Sequence, residues 1–247
     1  MRILISLNMP KLLWSFNWRH LSHRNSSMFS AENILNEENL KKVASKFANM
    51  PTIRLQTHEP SKRAAVLIPL CVVDDKVSLL YTLRAANLKS HRAQVSFPGG
   101  MFDDKDKCLE HTATRETEEE LGIGEEDIRV WGRGKLIVTA TDKCVLPIMG
   151  QILTDFTCKS LKINKNEVEE VFTVPLEDLC DPKFLRHTQF RGGYSMPVFL
   201  AGAHRIWGLT ALITHQFLKS LALIVTYNNI VPMIPYVRNS SSKKYNS

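Results

Sequence analysis

The sequence predicts an α/β fold with a mixed sheet between helices. Three observations carry this. Short apolar runs of β type recur between residues 64 and 200. The longer helical patterns of the domain fall at residues 31–49, in an acidic segment near 108–122 and at residues 208–221. At 247 residues the chain accommodates one sizeable domain with room for tails.

Residues 1–31 hold Arg2, Lys11, Arg19 and Arg24 and no acid. A helix after Pro10 sets Lys11, Ser15 and Arg19 on one side and Leu13, Trp14, Trp18 and Leu21 mainly on the other. Such a basic, amphipathic, hydroxyl-bearing stretch reads as a mitochondrial transit peptide, which implies a matrix location. The rival secretory core, Ile3–Leu7, is too short. A plain disordered tail is the other alternative.

Residues 32–61 read as a helix and linker. Ser30 caps the helix, Leu40, Val43 and Phe47 recur at helical spacing, and Pro51 and Pro60 bracket the linker. The main domain spans 62–222. Its apolar runs Ala64–Val73 and Val77–Leu83 flank the turn Asp74-Asp75-Lys76 and predict a hairpin. Pro69 predicts that the first of these strands is an edge or carries a bulge. Val95–Phe97 is a short strand feeding a Gly99-Gly100 turn. The acidic helix follows and ends at Gly122, an αL cap.

Further strands are expected at Ile128–Trp131, Leu136–Thr139, Val145–Leu153 and Val168–Val174. A polar loop covers Asp155–Asn166, and a helical turn covers Pro175–Phe184. Arg191-Gly192-Gly193 marks a turn before a strand at Ser195–Leu200. The helix Gly208–Leu221 turns Leu209, Leu212, Ile213 and Phe217 toward the core. Residues 223–247 carry no acid and a Ser240-Ser241-Ser242 run, and read as a weakly ordered tail.

Charge and composition narrow the partners. Four basic residues precede Glu32, so the rest of the chain carries only +3 of the net +7. Aromatic and basic residues are not interleaved as a single-strand binder needs, so no nucleic-acid partner is expected. No apolar run approaches the ~20 residues of a membrane span. A small polyanionic substrate suits the mild positive bias. The five cysteines, Cys71, Cys108, Cys144, Cys158 and Cys180, form no CxxC pair and read as free thiols, mostly in the core. Monomer and homodimer both stay open.

The chemistry concentrates in the acidic helix, where Arg115-Glu116-Thr117-Glu118-Glu119-Glu120-Leu121-Gly122 packs four glutamates into five positions. Like charges one turn apart destabilise a helix. At about 100° per residue, Glu116 and Glu120 lie about 40° apart, beside Leu109, Ala113 and Glu119, while Glu118 falls on the opposite side. Acids beside a core cost several kcal/mol each unless they are paired or bind a metal. A hard divalent cation turns the repulsion into a site. The bland alternative is a solvated acidic face.

Gly100 followed by Arg115–Ile123 resembles the signature of the Nudix hydrolases. Asp106 stands at the acid position after the glycine. Eight residues, rather than seven, separate it from Arg115, and Thr117 replaces an aliphatic residue. Upstream, Leu79–Arg84 and then His91-Arg92-Ala93-Gln94-Val95-Ser96-Phe97-Pro98-Gly99-Gly100 resemble the motif of the coenzyme A diphosphatases of that superfamily. Ala93 stands where the motif has Gly. Asp103 and Asp106 fall where that subfamily often has Asp.

The resemblance implies a Nudix-type α/β/α sandwich with a mixed sheet and a loop-helix-loop catalytic motif. It implies metal-dependent hydrolysis of the pyrophosphate of coenzyme A or acyl-coenzyme A. Glu116 and Glu120 then bind Mg²⁺ or Mn²⁺, and Glu119 completes the shell or takes the proton of the water. Arg115 orients a helix carboxylate. Gly99 and Gly100 approach phosphate, and Arg84, His91 and Gln94 contact the substrate. Asp106 either assists the base or second metal or caps the helix. Asp103 has no assigned role. The rivals are another nucleoside diphosphate derivative, such as a dinucleotide or nucleotide sugar, and a non-catalytic binding protein of the same fold.

Overall fold

The computed structural model describes residues 28–86, 93–154, 161–190 and 194–231. The transit-peptide stretch up to residue 27, His91, Cys158, Arg191-Gly192-Gly193 and the chain from 232 onward lie outside the described residues.

The first helical stretch is two helices, α1 (Ala31–Ile34) and α2 (Glu37–Ala48), rather than one. Asn36 breaks it. Its side chain accepts from the backbone N–H groups of Glu38 and Asn39 and so starts a new helix. Met28, Phe29 and Ala31 already pack against the core, so the boundary expected at 31 falls inside the folded body.

Among the described residues, nine strands form one mixed sheet. They are β1 (Ile53–Arg54), β2 (Lys62–Val73), β3 (Lys76–Arg84), β4 (Val95–Ser96), β5 (Gly99–Met101), β6 (Ile128–Arg133), β7 (Ile137–Val138), β8 (Lys143–Ile152) and β9 (Val168–Pro175). The central path runs β1-β7-β8-β2-β3-β4, with β5 on β2, β6 on β8 and β9 on β3. The β2–β8 and β1–β7 pairings are parallel and the others antiparallel.

Strand β2 explains its own continuous apolar run. Ala64, Ile68 and Leu70 face one core while Ala65, Leu67 and Cys71 face the other. A strand buried on both faces needs no alternation. Pro69 was expected at an edge or bulge, yet β2 is interior. The ladder on its β3/β5 side covers Ala64–Val66 and Leu70–Val73 only. Leu67 N–H bonds to the Pro98 carbonyl, and the nitrogen of Pro69 points the same way into this gap. A missing N–H is tolerated there.

The two faces carry separate cores. One packs α1, α2, α4 (Leu176–Cys180) and α5 (Gly208–Leu221) on the sheet; the other packs α3 (Leu109–Leu121). The arrangement is a three-layer α/β/α sandwich. Helix α5 is buried on more than the expected stripe, with Ala211, Thr214, His215 and Leu218 covered, whereas Leu212 is only half-buried. The tail expected from 223 does not detach at once. Val225 and Tyr227 are buried, and Tyr227 shares a 2.6 Å hydrogen bond with His215 Nδ1.

A second sheet pairs β10 (Leu185–Phe190) with β11 (Tyr194–Phe199). Sequence patterning misses β10 because Arg186, His187 and Thr188 are exposed, so no apolar alternation marks the strand. Cys71, Cys144 and Cys180 are buried, and Cys108 is exposed. Among the described residues no helix is long and apolar enough to cross a membrane.

Candidate active site

The site is built where β5 meets α3. Gly99 and Gly100 lie in strand β5, paired with Val66 and Ala65, rather than in a simple turn. A Cβ on Gly99, whose φ is 148°, would run into the Ala65 carbonyl, and one on Gly100 would occupy the place of the Glu116 carboxylate. The glycines let the helix carboxylate lie directly on the strand backbone.

Helix α3 enters at Cys108 without a side-chain cap and stops at Gly122, whose φ of 69° is the expected αL cap. Thr117, where the signature has an aliphatic residue, is fully buried. Its hydroxyl donates to the Ala113 carbonyl at 2.7 Å, so no polar atom is stranded.

Arg115 organises the acids. Its Nε donates to Asp106 Oδ1 at 2.8 Å and Nη2 to Asp106 Oδ2 at 3.1 Å. Nη2 also lies 3.0 Å from Glu116 Oε1, and Nη1 donates to Glu119 Oε2 at 3.0 Å. Asp106 accepts further from Thr112 Oγ1 and from the Asp103 backbone N–H. Asp106 therefore neither caps the helix, since Cys108 holds that position, nor joins the carboxylate cluster described below. It is a buried anchor for Arg115, whose guanidinium holds its carboxyl well below the usual range. Asp103 shapes the preceding turn, its Oδ1 accepting from Lys105 N–H.

Glu116 and Glu120 come together with a third acid, Glu167, each offering an oxygen within 4.8 Å of the others. The Glu120 side chain is 1% exposed. Burial, then the neighbouring charges of Glu116 and Glu167, outweigh the opposing charge of Arg84 and push its carboxyl up to about 8. Burial likewise raises Glu116, against the pull of Arg115. Glu120 Oε2 is buried with no hydrogen-bond partner. Three convergent carboxylates, one with an orphaned oxygen, are a donor set fit for a hard divalent cation.

Glu119, expected in that cluster, is placed differently. Its side chain is 54% exposed and turned to Arg115. Glu118 is exposed, as its position on the helix predicts. Glu167 escapes sequence reasoning because it is one of three acids at the mouth of a strand, with Glu169 and Glu170, and has no spacing relation to the helix. Sheet pairing delivers it: Ala85 N–H bonds to the Glu167 carbonyl at the β3–β9 junction. Asn164 fixes the approach. Its backbone N–H donates to the Glu120 carbonyl at 2.9 Å, and its Nδ2 donates to Glu167 Oε1 at 3.3 Å.

Arg84, at the end of β3, places Nη1 3.4 Å from Glu120 Oε1. Gln94 is bound to the same strand end, its carbonyl accepting from Arg84 N–H. Ala93, at the motif's Gly position, holds a φ of 53°, the left-handed conformation that glycine adopts without strain.

A sandwich fold with a glycine-backed acidic helix defines a class, and the comparisons agree. The model of the NUDIX domain matches residues 61–193, and the chain belongs to the Nudix family. It is 44% identical over 176 residues to "Mitochondrial coenzyme A diphosphatase NUDT8" of Homo sapiens, covering 69% of this chain and 73% of that protein. The protein of the same name from Mus musculus is 42% identical, covering 69% and 82%. "Nudix hydrolase 3" of Caenorhabditis elegans is 34% identical, covering 75% and 84%. Among solved structures, a Nudix hydrolase from M. smegmatis, RenU, aligns with a TM-score of 0.46 at 15% identity, covering 67% of this chain and 89% of that one.

Proposed function

We propose that this protein hydrolyses the pyrophosphate of coenzyme A and its acyl derivatives, giving adenosine 3′,5′-bisphosphate and 4′-phosphopantetheine or its acyl form. The observation that carries the hydrolytic reading is the Glu116–Glu120–Glu167 cluster with its unpartnered Glu120 oxygen. The substrate reading is supported by identity to two relatives named as coenzyme A diphosphatases.

Glu116 and Glu120 would hold Mg²⁺ or Mn²⁺, with Glu167 the third carboxylate. Such an ion, when bound, neutralises phosphate charge and makes a bound water acidic. Glu167 enters from a different element than the helix pair. It can accept a proton from the attacking water while both helix glutamates keep their places. Asn164 holds its Oε1 meanwhile. Arg115 keeps Glu116 in position from the Asp106 anchor, and Glu119 closes that ion pair from the solvent side. The backbone of Gly99 and Gly100 lets phosphate approach closely. Arg84, His91 and Gln94 take the phosphate and nucleotide end of the substrate.

A mitochondrial address is supported by the relatives' names and by the basic, acid-free N-terminal stretch, with the matrix as its destination. The test incubates the full chain with coenzyme A, acetyl-coenzyme A, diadenosine polyphosphates and nucleotide sugars, with Mg²⁺ or Mn²⁺, and reads products by mass. Adenosine 3′,5′-bisphosphate from coenzyme A is the expected product. Turnover confined to nucleotide sugars overturns the substrate assignment.

A further inference from the structure

The two arginines of the site differ in how firmly they are held. Arg115 is committed to Asp106, Glu116, Glu119 and the Met101 carbonyl. The side chain of Arg84 has Glu120 as its partner, at 3.4 Å, the outer edge of a hydrogen bond. Arg84 is 25% exposed and Glu120 1%, so the guanidinium stands between a buried carboxylate and the solvent. The register of β3 against β9 shifts between Leu83 and Arg84, which sets Arg84 opposite Val168, next to Glu167. A weakly held cation thus borders a cluster of three carboxylates and is partly open to solvent.

We propose that Arg84 couples cation binding to substrate binding: its guanidinium balances Glu120 while the carboxylate cluster is empty, and turns to a substrate phosphate once a divalent cation takes Glu120. This rests on the metal-binding reading of the cluster given above. It fixes a sign. A residue that competes with the cation lowers its affinity in the absence of substrate, so removing the positive charge must tighten cation binding. A residue that only holds Glu120 in place would do the reverse.

The experiment titrates the full chain with Mn²⁺ alone at pH 8.5 and reads free Mn²⁺ by electron paramagnetic resonance. Arg84→Gln and Arg84→Met are expected to bind Mn²⁺ roughly tenfold more tightly than the unaltered chain, because a like charge has left the site. Arg84→Lys keeps the charge and should stay within about threefold of the unaltered chain. With coenzyme A as substrate, Arg84→Gln should raise KM by about tenfold or more, the loss of a charge-assisted phosphate contact. Thermal melts establish that each variant is folded. Unchanged or weaker Mn²⁺ binding in both neutral variants overturns the coupling while leaving the metal site standing. Failure of the unaltered chain to take up Mn²⁺ removes the metal site and the coupling together.

Discussion

At the scale of single residues, Glu120 carries the largest conflict in the molecule. It is a buried acid with a raised carboxyl and an unsatisfied oxygen. Glu120→Gln removes the charge and keeps the shape. The expected outcome is a folded protein whose metal-dependent turnover falls by about a thousandfold. The metal-free variant should melt higher than the metal-free parent at pH 8, by about 2–4 °C for each kcal/mol recovered. Calorimetry in a chelator, beside a turnover assay, checks both. Ala93 is a second strained point. Its left-handed backbone costs about 1 kcal/mol relative to glycine, so Ala93→Gly should raise the melting temperature by about 2–4 °C. A lower melting temperature would show that the strand ends demand the methyl group.

At the scale of elements, strand β5 and helix α3 act as one part. The Glu116 carboxylate fills the volume a Cβ of Gly100 would need. Gly100→Ala should therefore lower stability by about 1–3 kcal/mol in the parent and much less in a Glu116→Ala background. A double-mutant cycle of melting free energies measures the difference, and strict additivity would sever the link. Elements with a local signal were legible in the sequence. The apolar run of β3, the cap at Gly122 and the helix Gly208–Leu221 announce themselves through local pattern alone. The turn expected at Asp74-Asp75-Lys76 did too, one residue too long: Asp74 and Asp75 adopt positive φ, 49° and 61°, as a two-residue hairpin turn requires, and Lys76 already pairs with Val73. Strand β10 gave no signal because its side chains meet solvent. Within the site, the helix acids were legible because one turn of α3 holds them. Glu167, and the diversion of Glu119 to Arg115, depend on sheet pairing and on competition for a guanidinium. Neither has a sequence spacing.

At the scale of the whole molecule, the buried acids set how stability follows pH. Glu120 has a folded value near 8, above its ordinary value, so the folded state holds the proton longer than the unfolded chain. Its contribution is present at low pH and is lost as pH rises toward 8. Buried His215 acts oppositely. Burial lowers it to about 4, so its contribution is lost as pH falls below the ordinary histidine value. Between about pH 6.5 and 8 the raised carboxyl of Glu120 sets the expected slope. Metal-free protein should lose about 2 kcal/mol across that window. Excess Mg²⁺ should abolish or reverse the slope, since it favours the ionised cluster. Denaturant midpoints at several pH values, with and without Mg²⁺, check it. A flat metal-free profile would mean that Glu120 is hydrated.

The contact between Thr226 and Met28 has a consequence for handling the protein. The Thr226 backbone N–H lies 3.2 Å from the Met28 sulfur, so the first and last packed segments meet. Both belong to the core beneath α2 and α5, on the opposite side of the sheet from α3. A tether between surface positions near 28 and 226 would sit on that side of the sheet and leave the carboxylate face open to solvent.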